Sequence, residues 1–157
     1  MSITNKPVHG SPADTVCNCS LIRQAARRVT RFYDQALAAS GLRITQYPIL
    51  VSLAVSGPMG MGVLAERMVM DRATLGHNLR PLQAQGLVTI GAGRDRRSRV
   101  VSLTEPGRRL LREARPAWEA AQCRFESALG AADSAALRAM MARVARLEFS
   151  DAPASPR

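Results

Sequence analysis

The sequence predicts a mainly α-helical chain carrying one small β-hairpin. Two observations set this class. Leu75, Leu79 and Leu82 recur at i, i+4 and i+7, the spacing of a single buried helical stripe. The runs 87–90 and 100–103 are short, apolar and β-branched, and a tip opening with Gly91 and Gly93 joins them. Long segments on either side keep a three-four apolar spacing, so helices flank the hairpin unit at both ends.

Residues 15–39 form the first predicted helix, with Val16, Cys19, Ile22, Ala26 and Val29 on one face and Gly41 as its stop. A second helix is expected from a Thr45 cap to Val55, ended by Gly57 and Pro58. Val63, Leu64, Ala65 and Met68 mark a short amphipathic helix over 62–70. Over 71–86, Asp71 is a good N-cap, because its carboxylate can accept from orphan backbone N–H groups. Gly86 suits the left-handed position just past a helix end. Pro81 removes a backbone donor and predicts a local kink. After the hairpin, Thr104 caps a helix with Glu105 and Pro106 in its first turn. Leu110, Leu111, Ala114, Ala121 and either Ala117 or Trp118 mark its apolar face, and Pro116 predicts a bend. A last helix over about 133–148 places Leu137, Met140, Met141, Val144 and Leu147 together.

Arg72, Thr74, His77 and Asn78 lie largely off the leucine stripe of 71–86, and Arg80 flanks it. Short or flexible polar groups at the N-terminal half of a helix suit the major groove of DNA. The hairpin tip carries Arg94, Asp95, Arg96, Arg97, Ser98 and Arg99. Folding alone gives no reason for so cationic a tip; phosphates or a narrow groove do. Helix, turn, helix and hairpin in this order make a winged helix-turn-helix.

Composition agrees. The 157 residues carry a net charge of +10, which favours a polyanionic partner. All of the basic residues but Lys6 are arginine. A GC-rich genome explains arginine over lysine, but not the clustering from Arg94 to Arg115. A phosphate-cradling glycine loop, a G-x-S-x-G elbow and a Ser/His/Asp set are missing, so no enzyme is expected. Aromatic residues make up 4%, too few for base-stacking platforms, which leaves a nonspecific nucleic-acid binder as a remote alternative. No apolar run spans a bilayer, residues 1–14 read as a flexible arm without an apolar leader, and residues 149–157 read as a disordered tail. The expectation is a cytoplasmic protein without membrane contact. Cys17, Cys19 and Cys123 fit a reducing compartment. With His9 they are the soft ligands available, but their spacing supports no metal site.

The sequence resembles the MarR family of bacterial transcription regulators. The residues that carry the resemblance are 41–50, Leu64, Ala65 and Glu66, then 71–88. They continue with the wing element Asp95, Arg97 and Ser98, followed by Leu103, Thr104 and Gly107. The match covers roughly residues 15–148. It implies that Arg97 enters the minor groove with Asp95 bracing it. It further implies that helices within 15–40 and 105–148 pair two subunits, while 41–104 binds double-stranded DNA. Such a homodimer meets a pseudo-palindromic operator, acts mostly as a repressor and needs no cofactor.

The resemblance also implies release by a small aromatic or phenolic carboxylate in a cleft between the dimer helices and the winged unit. Arg23, Arg27 and Arg43 are candidates to pair with the carboxylate. Tyr33 and Tyr47 offer an aromatic wall, and Ile44, Ile49, Met59, Met61 and Met70 a soft apolar lining. A peroxide-sensing branch of the family supplies the alternative. Cys19 falls at that branch's reactive position and Tyr33 at one of its tyrosines, but Ile44 and Arg23 stand where further tyrosines are expected. Cys19 equally suits a small apolar position on the helical stripe.

Overall fold

The computed structural model describes residues 17–93 and 98–148. Six helices and three short strands follow in order. Helix α1 spans Asn18–Leu37 and runs into a 3-10 turn, Ala38–Ser40. Then come α2 (Tyr47–Ser56), β1 (Met59–Gly60), α3 (Met61–Arg67) and α4 (Arg72–Ala84). The hairpin is β2 (Val88–Ala92) and β3 (Arg99–Leu103). Helices α5 (Glu105–Leu129) and α6 (Ala131–Val144) are the last elements among the described residues.

The expected winged helix-turn-helix is present. Leu75, Leu79 and Leu82 are fully buried, so the leucine stripe is the inward face of α4. Asp71 caps that helix: Oδ1 accepts from the Thr74 amide and Oδ2 from the Thr74 hydroxyl, both at 2.7 Å. These bonds hold the Asp71 carboxyl below its usual pKa. Gly86 takes a left-handed φ of 69° beyond the helix end. Helices α4 and α5 continue through Pro81 and Pro116.

The hairpin gains a third strand that the sequence did not announce. The sheet order is β1-β3-β2, all antiparallel, with Met59 opposite Val101 and Val88 opposite Leu103. At the wing base the Gly93 amide donates to the Ser98 carbonyl at 2.9 Å. A Cβ on Gly93 would overlap the Ser98 hydroxyl, so a larger residue there would force the Ser98 side chain to turn aside.

One junction ties the hairpin to α5. The Thr104 hydroxyl accepts from the Gly107 amide at 3.1 Å, confirming the expected cap, and lies 2.7 Å from the Gly86 carbonyl. A Cβ on Gly107 would overlap the Leu87 carbonyl oxygen, so α5 starts against the hairpin backbone itself.

Several helix limits differ from expectation, and α3, expected over 62–70, already ends at Arg67. Helix α2 starts at Tyr47 with Gln46 at its N-cap, not Thr45. The Gln46 side chain instead accepts from the Arg43 amide at 3.0 Å, which folds the preceding loop into a turn. Helix α6 begins at Ala131, straight after Gly130 at φ 89°, two residues earlier than expected, and stops at Val144.

The core is centred on the winged unit and is joined by Leu37 of α1 and Ala114 of α5. Its fully buried members include Leu37, Ile49, Leu50, Leu53, Leu64 and Val101. Outside it, apolar side chains of α1 and α6 stay open: Leu21 is 51% exposed and Met140 50%. Among the described residues, no helix is long and apolar enough to cross a membrane.

Candidate nucleic-acid interface and adjoining cleft

Helix α4 presents Arg72, Thr74, His77 and Arg80 on its exposed side. Two of the predicted readers are partly engaged within the helix. The Thr74 hydroxyl donates to Asp71, and the half-buried Asn78 donates from Nδ2 to the Thr74 carbonyl at 3.0 Å. Arg72, His77 and Arg80 are therefore the freer groups on this face. Helix α3 and the turn at 68–70 hold α4 in place. There Val69 adopts a left-handed φ of 52°, and the Met70 amide donates to the Ala65 carbonyl at 2.9 Å. This is the two-bond helix stop that glycine usually supplies, here built on a β-branched residue. Ser98 is exposed at the wing base. Arg94, Asp95, Arg96 and Arg97 lie outside the described residues.

The predicted effector residues do not come together. Arg23 and Arg27 are exposed on α1. Arg43 forms an ion pair with Asp34 at 3.6 Å, beside the Asp34 hydrogen bond to the Ile44 amide. Met70 is packed against the core, while Ile49 and Met59 are buried within it. Tyr33 donates to Gln122 Oε1 at 2.7 Å and faces a different cleft, of about 520 Å³, between α1, α5 and α6. Burial, and then Glu126, push the Tyr33 pKa up.

Tyr47 and Ile44 line another cleft, of about 670 Å³, bounded by α2, α3 and α5. The Tyr47 ring stacks on Trp118, with centroids 5.6 Å apart and planes 16° from parallel. Three arginines absent from the predicted set, Arg67, Arg112 and Arg115, also line it. Arg67 reaches back from the end of α3 and donates to Ser52 Oγ at 3.3 Å and Ser56 Oγ at 2.5 Å. Arg115 is held by Glu119 at 2.7 Å, which raises its pKa. Burial raises the Tyr47 pKa, with Arg115 opposing and Glu119 reinforcing, so Tyr47 keeps its proton at neutral pH. The cleft thus offers an aromatic wall, a phenol donor and fixed cations.

The three cysteines are exposed. Cys19 and Tyr33 share α1, but lie about 21 Å apart along its axis at the standard rise per residue. The Tyr33 hydroxyl cannot support the Cys19 thiol of its own chain.

A capped helix with a cationic outer face, set beside a hairpin, defines a winged helix-turn-helix protein of the DNA-binding class. Residues 40–98 match the MarR family profile. The chain is 30% identical over 110 residues to the HTH-type transcriptional repressor NicR of Pseudomonas putida, covering 69% of this chain and 70% of the relative. It is 30% identical over 97 residues to the organic hydroperoxide resistance transcriptional regulator of Bacillus subtilis, covering 61% and 66%. The structure of the M. tuberculosis transcriptional regulator MosR in complex with DNA superposes with a TM-score of 0.77 at 34% identity, covering 83% of this chain and 95% of that one. The chain belongs to the MarR family of DNA-binding transcriptional regulators.

Proposed function

We propose that the protein is a repressor that binds a pseudo-palindromic operator as a homodimer and is released by a small aromatic carboxylate. In this reading α1 and α6 pair with a second copy. The two α4 helices then enter successive major-groove turns, with the wings over flanking minor grooves. The open apolar side chains of α1 and α6 support the pairing.

The observation that carries the effector half is the cleft lined by Tyr47, Trp118, Arg67, Arg112 and Arg115. It touches α3, which positions the reading helix, and α5, which leads to the terminal helices. A flat anion stacked on the aromatic wall would engage guanidinium groups from both. A ligand shifts the equilibrium only if it binds the DNA-incompetent spacing more tightly. Drawing Arg67 off Ser52 and Ser56 is one way for that preference to arise, since those bonds tie α3 to α2.

Selection from a random duplex library should return an inverted repeat with half-sites about one helical turn apart. Recovery of no consensus would overturn the operator half. A thermal-shift panel of benzoates, hydroxybenzoates and pyridine carboxylates should contain compounds that raise the melting temperature of the wild type but not of Arg115→Ala. Equal shifts in both proteins would remove this cleft as the effector site.

A further inference from the structure

We infer that Arg72 and Arg99 together seat one DNA backbone phosphate, in a notch where the reading helix meets the base of the wing. The inference rests on the DNA-binding reading and adds a contact to it. The notch has a volume of about 330 Å³ and is lined by residues 60–63, Arg72, Ser98 and Arg99. Arg72 is the first residue of α4, and Arg99 is the first residue of β3, opposite Ala92. The fold brings together two cations that are remote in the chain. Both are exposed. Among the described residues, no carboxylate lines the notch and no ion pair engages either arginine. Two like charges facing one hollow repel each other unless an anion sits between them.

Two of the lining residues, Gly60 and Gly62, present no side chain, beside Met61 and Val63. A Cβ on Gly60 would meet nothing within 4 Å, and one on Gly62 would lie 3.5 Å from Arg72 Nη2, so the guanidinium rests beside the Gly62 backbone. Geometry names the anion. With α4 in a major groove and the wing over the adjacent minor groove, the strand dividing those grooves must pass between helix and wing. The notch opens at that place. A phosphate there would be held from two sides and would fix the angle between the two reading elements without reading sequence.

The test is a salt titration of binding to two unrelated duplexes by the full-length wild type, Arg72→Gln, Arg99→Gln and the double variant. Each single change should weaken binding to both duplexes by about tenfold and flatten the log–log salt slope by about 0.9 per notch. Arg99→Lys should keep most of the slope, because a point charge still neutralises a phosphate. The double variant should lose less than the product of the single losses, because both arginines serve one phosphate. An unchanged slope in Arg99→Gln, a loss confined to one duplex, or fully multiplicative losses would each overturn the shared seat. Failure of the wild type to bind either duplex would instead sink the DNA-binding reading itself. Circular dichroism melts separate these results from misfolding, since both side chains are exposed.

Discussion

The winged unit and the terminal helices solve the problem of burial differently. In the winged unit the main apolar stripes are closed by their neighbours, although Val55 and Val63 stay exposed: Leu64 of α3, Leu79 of α4 and Val101 of β3 are all fully buried. In the terminal region Leu21 and Ile22 of α1, with Leu137 and Met141 of α6, stay open around a cleft of about 520 Å³. Ser134 sits in that cleft with its hydroxyl buried and without a hydrogen-bond partner. One region closes most of its apolar surface within a single chain; the other leaves a contiguous apolar face open.

The contrast can be broken first at its strongest point. Leu79→Ala should cost about 2–5 kcal/mol, because it empties a closed core, and chemical denaturation at fixed protein concentration should show the loss. Leu137→Asp should behave differently. Leu137 is 38% exposed, so the isolated chain should lose less than with Leu79→Ala, but association should fail, leaving a monomer by analytical ultracentrifugation and a melting temperature that no longer rises with protein concentration. A Leu137→Asp protein that remained dimeric would place the interface elsewhere.

Gly107→Ala comes next. The new methyl must displace the Leu87 carbonyl, so a loss of about 1–3 kcal/mol is expected in denaturant melts. Val69→Gly has the opposite sign. Relieving a left-handed β-branched residue gains about 1–2 kcal/mol, and glycine's extra freedom in the unfolded chain returns roughly 0.5–1 kcal/mol of that. The variant should therefore melt slightly higher than the wild type, and a lower melting temperature would refute the strain argument.

The smallest effect concerns acid. Glu126 accepts from Gln122 at 2.8 Å and from Arg138 at 2.6 Å, and these partners lower its pKa, Gln122 first. A depressed carboxylate stabilises the folded state above its unfolded pKa of about 4.3, and loses that contribution as pH falls through the folded value. The melting-temperature gap between wild type and Glu126→Gln should therefore be present at neutral pH and shrink on acidification below about pH 4.

Most of the fold was legible because local chemistry and tertiary packing agree. Asp71, Thr104 and Gly86 perform in the structure the tasks their residue types suggest. Strand β1 was not legible: two residues are too few to alternate, and their pairing is with β3, far along the chain. The outer face of α4 was legible as the off-stripe side of a helix. The cleft proposed for the effector was not. Sequence reasoning drew its arginines from α1 and the loop before α2, but the lining arginines come from α3 and α5, which only the fold brings beside Tyr47. A signal did exist. Trp118, the single tryptophan, shares a helical face with Leu111 and Arg115. A large ring beside a cation on a half-buried helix is a reasonable marker of a recognition pocket.

Helix α5 has a mechanical consequence. It runs unbroken for 25 residues, butted at its start against the hairpin backbone and reaching the terminal helices at its end. At the standard rise that is a strut of about 37 Å, and pivoting it by roughly 10° would sweep one end through about 6 Å. A slight tilt set near the terminal helices would arrive at the wing multiplied by leverage, with no need for the winged unit to deform.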